Sequence, residues 1–401
     1  MPKDSGFTIG IEEEYMLVDP GTRDLVSDAP PAVIETCASL IPKDVGAATA
    51  EFLRAQIEVD TSVCRSITEC REKLSVLRAC AAQAAEQHGY RIIAASTHPF
   101  AAWARQRHTD KERYNVLARD LQEVAHRMLI CGMHVHIGIE DDELRIDLLN
   151  QLGYFLPHLL ALSTSSPFWQ GRKTGLKSYR VSVFDELPRT GLPERFASFG
   201  EYQRHIDTMV RAGLIEDATK IWWDIRPSAR FPTLEMRSSD ICTRIEDGIS
   251  IAALYICIVS MLLRLRKNNQ RWRIYSNMLI QENRWRAQRY GTDEGLVDFG
   301  RNELVAYPEL LLELLDIISE DAEIVGCVDE IDHTRKILEH GTSAHQQIRV
   351  FDTAIADGAS EQEALQGVVD WLIEESVAGL SLPEAGKIRK KAAGGAKPRS
   401  R

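Results

Sequence analysis

Three observations in the 401-residue chain predict an α+β fold. Short β-prone runs mix with helical patterns up to about residue 240, and helix-like periodicity dominates beyond it. Several of the β-prone runs also carry charged residues two positions apart, the spacing that puts side chains on one strand face.

Taken in order, Phe7 to Val18 reads as a strand ending at the turn Asp19-Pro20-Gly21. Ser66 to His88 reads as a helix, with Ser66 and Glu69 in a capping-box pattern and Gly89 beyond its end. Tyr90 to Ser96 is a buried strand closed by Thr97-His98-Pro99. Met128 to Ile139 is a second long strand, followed by a helix from Asp141 to Ser163. Lys173 to Phe184 and Lys220 to Arg237 hold further β-prone stretches. Helical periodicity then runs through Ile245–Arg266, Glu303–Ser319, Ile331–Glu339 and Ser360–Glu375, the last opening on the capping-box pair Ser360 and Glu363. Residues 1–385 are expected to form one catalytic domain. Residues 386–401, basic and rich in Ala and Gly, are expected to form a disordered tail.

Composition narrows the partners. A net charge of −11 argues against a general nucleic-acid surface. The N-terminus lacks a secretory pattern, and the apolar run Ile249–Leu263 is too short for a comfortable membrane span, so it reads as a buried helix. Eight cysteines without a CxxC pair suit reduced thiols in a cytoplasmic protein.

Four segments place polar groups where a strand should bury apolar ones. In Gly10-Ile11-Glu12-Glu13-Glu14-Tyr15, Glu12 and Glu14 share a face and Glu13 takes the other. Two carboxylates that close repel unless a cation lies between them, and hard oxygen donors favour magnesium or manganese. The alternative is an edge strand charged against aggregation. In Met133-His134-Val135-His136-Ile137-Gly138 two imidazoles share a strand face, suited to a metal or a phosphate, or else to a satisfied core pair. Glu235 and Arg237 share the next face, with Arg226 close by. A carboxylate for metal beside arginines for oxyanions suits phosphoryl transfer, with surface ion pairing as the alternative. Ser165, Ser166 and Arg180 are groups able to line a carboxylate pocket, although the residues alone mark only a loop. Glu51 and Glu58, flanking apolar residues, are weaker candidates of the same kind.

In this order the segments resemble the type-2 glutamate–cysteine ligases, or carboxylate–amine ligases. The resemblance is carried by GIEEEYMLVD (Gly10–Asp19), QIEVDTSVC (Gln56–Cys64), AASTHPF (Ala94–Phe100), MHVHIG (Met133–Gly138), SSPFWQGRKTG (Ser165–Gly175), WWDIRPS (Trp222–Ser228), LEMRSSD (Leu234–Asp240) and ENRWRAQRYG (Glu282–Gly291), over roughly residues 6 to 380. Any one is weak, and eight in series are specific. That family is related to glutamine synthetase and the guanidino kinases, so the resemblance implies a curved antiparallel sheet with metals and ATP on its concave face. It implies magnesium, with manganese as a substitute, on Glu12, Glu14, Glu58, His134 and Glu235. It implies His136 near the nucleotide phosphates, Arg237 and Arg226 at the transferring phosphoryl group, and Arg180 with Ser165 and Ser166 at the acid substrate. Asn283, Arg284 and Arg286 receive no role. The chain departs from the family at His345-Gln346, where Asp-Arg is usual.

The implied chemistry is amide formation from a small-molecule acid and amine, by default glutamate and cysteine, through an acyl-phosphate. The family's fold suits a homodimer. Three other readings compete. A metal-dependent hydrolase of the amidohydrolase type expects its His-x-His earlier and more metal-binding histidines later. A guanidino kinase stops at a phosphorylated guanidine. An ATP-binding regulatory protein with a degenerate site predicts missing ligands, whereas every expected carboxylate and histidine is present.

Overall fold

The computed structural model describes residues 6–380, so the expected basic tail lies outside the described residues. The fold is α+β, as expected. Seven strands form the main sheet: β1 (Ile9–Val18), β2 (Gly46–Ala50), β3 (Gln56–Thr61), β4 (Arg91–Ile93), β5 (Met133–Gly138), β6 (Ile225–Pro227) and β7 (Thr233–Met236). Their order is β6-β7-β5-β1-β3-β2, with β4 paired to the far end of β1, and every pairing in this sheet is antiparallel.

The central strand β1 changes character along its length. Residues 9–14 alternate between buried and half-buried positions, and residues 15–18 are wholly buried. The first half thus has one face open to a cavity, and the second is covered on both faces. Glu13 points away from the cavity, fully buried, and its carboxylate is held by Arg78 at 2.7 Å. A buried charge needs such a partner. Arg78 comes from the helix Ile67–Gln87, where the Ser66 hydroxyl accepts from the Glu69 amide at 3.1 Å, as its sequence pattern predicts.

Behind the sheet runs the helix Ile245–Lys267, buried from Gly248 to Leu262. Among the described residues it is the one helix long and apolar enough to cross a membrane, and 83% of its apolar window is buried inside the protein. All eight cysteines are free and buried.

Several expected elements differ. The β-prone run Lys173–Phe184 contributes a two-residue strand, Arg172–Lys173, and then a helix, Tyr179–Phe184. The amides of Lys177 and Ser178 both donate to the Gln288 carbonyl, Ser178 makes a single parallel bridge with Ser166, and the helical turn that follows buries Arg180, Val181, Val183 and Phe184. The expected helix Asp141–Ser163 is two helices, Asp142–Leu152 and Leu156–Ser163, broken after Gly153. Glu303–Ala306 is the second strand of a hairpin, and the helix begins at Tyr307 with Pro308 in its first turn. The helices Ala32–Leu40, Glu112–Leu121, Phe199–Arg211, Asn277–Tyr290 and Ser343–Ala356 had no counterpart in the sequence reading.

Candidate active site

One cavity of about 800 Å³ opens on the sheet face that β1 leaves half-covered, and it is lined by side chains from β1, β2, β3, β5, β6 and β7. Strand register builds its floor. Glu12 stands opposite Asp60 on one side and His134 on the other, and Glu14 stands opposite Glu58. His136 stands opposite Glu235, which in turn stands opposite Arg226. Because partners in register share a face, this pairing delivers the whole set to one surface.

Two groups of ligand-capable atoms result, each with its atoms within 4.8 Å of one another: Glu12, His136 and Glu235, and Glu14, Glu51 and Glu58. In the first, Glu12 is bound by both imidazoles, His134 Nδ1 and His136 Nε2 each at 3.0 Å. Burial opposes charge on Glu12, but these two contacts outweigh it and hold its carboxyl well below the ordinary glutamate value. The other nitrogen of His136 meets the Thr233 hydroxyl at 2.9 Å, which fixes the ring. Burial and the Arg237 charge take His134 down to about 4, so it is neutral at physiological pH. The geometry groups His136, rather than His134, with Glu12 and Glu235.

Glu235, 2% exposed, is gripped by two arginines. Arg226 donates through Nε at 2.9 Å and Nη2 at 3.1 Å, and Arg237 donates through Nη1. Burial works against the Glu235 charge, yet Arg237 and Arg226 together lower its carboxyl far below the usual range.

The second group is purely acidic. Burial and the neighbouring Glu51 push Glu14 up to about 8, and the same two causes raise Glu58 well above the ordinary glutamate value. Asp60, on the same face two residues beyond Glu58, is raised to about 7 by burial and by Glu12. Hydrogen bonds fix this group: the Gly132 amide donates to Glu14 at 2.8 Å, Thr49 to Glu58 at 2.9 Å, and Tyr114 to Glu51 at 3.3 Å. Half-buried carboxylates packed this closely suit divalent cations held by oxygen. The donor chemistry therefore fits magnesium.

Arg180 lines the same cavity and is 3% exposed. Unlike Arg226 and Arg237, it makes no ion pair among the described residues. Its Nη atoms donate to the carbonyls of Arg237 at 3.1 Å and Ser238 at 3.5 Å, and its Nε has no partner. Gly132 makes room for it, since a Cβ there would fall 2.5 Å from Arg180 Nη2. A buried cation lacking its own carboxylate fits an anionic ligand.

The Ser165–Ser166 turn lies beside the cavity rather than on its wall, and the Ser166 hydroxyl accepts the Arg180 amide at 3.1 Å. Both serines are fully buried and off the cavity wall. The Ser165 amide and the Ser166 hydroxyl donate to one oxygen of Asp240, at 2.9 and 2.8 Å, and Ser178 donates to the other at 2.8 Å. The turn thus satisfies a buried carboxylate beside the segment that carries Arg237. Arg284 has a similar scaffold role. It pairs with Asp224 at 2.6 Å, and the Asp224 carbonyl accepts the amides of Arg237 and Ser238. Asn283 pins the Val297 backbone and Arg286 the Gly295 carbonyl. His345 fills a capping box, with Nδ1 at Thr342 and Nε2 on Asp293 at 2.9 Å, and does not line the cavity.

Sequence reasoning missed Asp60, Lys111, Arg113, Tyr114 and Arg230 on the cavity wall. Asp60 was findable, since it follows Glu58 at strand spacing. The others come from loops and a helix that only the tertiary fold brings over the sheet.

With this geometry in place, the comparisons are decisive. Residues 8–370 match the family described as glutamate–cysteine ligase family 2. The chain belongs to that family. It is thereby one of the ATP-dependent ligases that form C–N bonds. It is 59% identical over 379 residues to a Rhodospirillum rubrum protein provisionally named glutamate–cysteine ligase 2, covering 94% of this chain and 97% of that one. A Jannaschia protein of the same provisional name is 54% identical over 372 residues, covering 93% of this chain and 97% of that one. Among solved structures, glutamate–cysteine ligase from Francisella tularensis in complex with AMP shares the fold with a TM-score of 0.65 at 14% identity, over 94% of this chain and 90% of that one.

Proposed function

We propose that the protein joins the carboxylate of a small acid to an amine by way of an acyl-phosphate, with ATP as phosphoryl donor and glutamate and cysteine as the default pair. The observation that carries this reading is Arg180: a buried guanidinium with no carboxylate of its own, in the cavity that also holds two groups of cation ligands. Family membership and the AMP bound to the Francisella structure support the nucleotide.

In this reading Glu12, Glu235 and His136 hold one magnesium ion, and Glu14, Glu51 and Glu58 hold a second; manganese is a chemically similar substitute. Bound there, the metal supplies positive charge to phosphate oxygens. His134 hydrogen-bonds Glu12 and orients it. Arg180 receives the acid substrate, leaving its reacting carboxylate oxygen to attack the γ-phosphorus of ATP. The bond from that phosphorus to the bridging oxygen breaks and ADP leaves. Arg237 and Arg226, immobilised by Glu235, face the charge that moves. The amine then attacks the acyl carbon, and phosphate departs with the electrons of the C–O bond. The active face would be the concave face of a glutamine-synthetase-like sheet.

The deciding experiment measures phosphate release and product mass with ATP, magnesium and panels of amino acids. Release that requires both an acid and an amine, together with an amide product, supports ligation. Release without amine incorporation overturns it. Arg180→Lys should lower turnover about a hundredfold, the effect of losing one preorganised electrostatic contact of about 3 kcal/mol.

A further inference from the structure

A third group of metal-ligating side chains lies behind the sheet, apart from the cavity. Asp247 stands in the first turn of the helix Ile245–Lys267, and His333 and His340 stand on the helix Val328–His340. The two histidines are seven residues apart, two helical turns, so they share one face. One ligand atom from each of the three residues lies within 4.8 Å of the others. Asp247 is buried and the two imidazoles are half-buried.

The hydrogen bonds prepare these atoms. His340 Nδ1 donates to the Gly341 carbonyl at 2.7 Å, and because a carbonyl only accepts, the proton is on Nδ1 and the Nε2 lone pair is left free. Metal-binding imidazoles are commonly oriented by this arrangement. The His340 carbonyl also accepts from the side chains of Gln346 and Arg349, which fixes the end of the helix. His333 Nε2 already meets Asp247 Oδ1 at 2.8 Å. A Cβ on the next residue, Gly248, would lie 3.6 Å from Glu13. Glu13 is the β1 carboxylate that faces away from the cavity, which puts this cluster on the opposite side of the sheet.

We infer that Asp247, His333 and His340 form a site for a borderline divalent metal, zinc by donor type, which ties the helix Val328–His340 to the core helix Ile245–Lys267. Two imidazoles and one carboxylate select zinc-like ions over magnesium, and water completes the shell. Ligand atoms around tetrahedral zinc stand about 3.4 Å apart, so on binding His333 Nε2 and Asp247 Oδ1 exchange their 2.8 Å contact for separate bonds to the metal.

The test uses the full-length protein, stripped with chelator and dialysed against zinc or cobalt, beside His340→Gln and Asp247→Asn. All three proteins keep the carboxylates and imidazoles of the cavity, so the difference between them counts only the site behind the sheet. The expected result is one more equivalent of zinc in the wild type than in either variant. The visible cobalt absorption of low-coordinate type should be stronger in the wild type than in either variant, and zinc should raise Tm further in the wild type than in the variants. Phosphate release with magnesium and ATP should be unchanged in both variants. Asp247→Asn keeps a hydrogen-bonding partner for His333, so it remains informative if His340→Gln misfolds. Equal zinc content in the wild type and a folded variant overturns the inference.

Discussion

Glu14 and Glu58 are partners in register across β1 and β3, two acids set directly opposite each other with both side chains on the wall of one cavity. Like charges in that position destabilise a sheet. Burial and Glu51 raise Glu14 to about 8, and burial and Glu12 raise Asp60 to about 7. A carboxyl raised in the fold gives its full stabilisation below its unfolded value, near pH 4, and loses it as pH rises through the folded value. His134, lowered to about 4, works in the opposite direction, but its effect is complete by about pH 6.5. Cation-free protein should therefore melt at a lower temperature at about pH 8.5 than at about pH 6.5, and magnesium should restore more stability at the higher pH. Scanning calorimetry checks this, and a Tm that rises over that interval without metal contradicts it.

Glu235 neutralises Arg226 and Arg237 at once. Replacing it by leucine leaves two guanidinium groups largely buried without their carboxylate, which should cost about 3–5 kcal/mol in denaturant unfolding. Glu235→Gln retains hydrogen-bonding groups and should cost less stability, yet ATP turnover should fall at least as far. Wild-type turnover in Glu235→Gln would remove it from the metal ligands.

Gly132 serves Glu14 through its amide and Arg180 through its missing side chain. Gly132→Ala must displace the Arg180 guanidinium, so steady-state kinetics should show the KM for the acid substrate rising more than that for ATP. Equal changes in both would mean that Arg180 does not receive the acid.

Ser166→Ala removes one hydrogen bond to buried Asp240 and the acceptor of the Arg180 amide, while the Arg180 guanidinium keeps its own contacts. The expected loss is about 1–3 kcal/mol of stability, because a charged acceptor is left short of a donor. The KM for the acid substrate should stay near wild type, since the hydroxyl lies off the cavity wall. A large KM effect with unchanged stability would return this serine to the substrate pocket.

Much of the site was legible because a strand has a period of two. GIEEEY and MHVHIG carry polar side chains at that spacing, and LEMRSSD adds Glu235 and Arg237, so their common face could be read before any strand was paired. The same period, applied to QIEVD, would have yielded Asp60. Arg180 could be named but not explained. Its segment is β-prone, yet it folds as a helix that buries the guanidinium, next to backbone amides held by Gln288.

The sequence by itself determined which faces of β1, β5 and β7 carry charge, where the helices Ile67–Gln87, Ile245–Lys267 and Glu361–Val377 begin, and that the thiols belong in the interior. Those properties are local, set by backbone period, capping chemistry and hydrophobicity. Only the tertiary structure decided which carboxylates face one another, that His136 joins Glu12 and Glu235, and that Ser165 and Ser166 serve Asp240. Register and burial arise from contacts between segments as much as 100 residues apart or more, such as Glu12 with His134 at 3.0 Å. A neighbour's charge acts only once folding has excluded the water between the two groups.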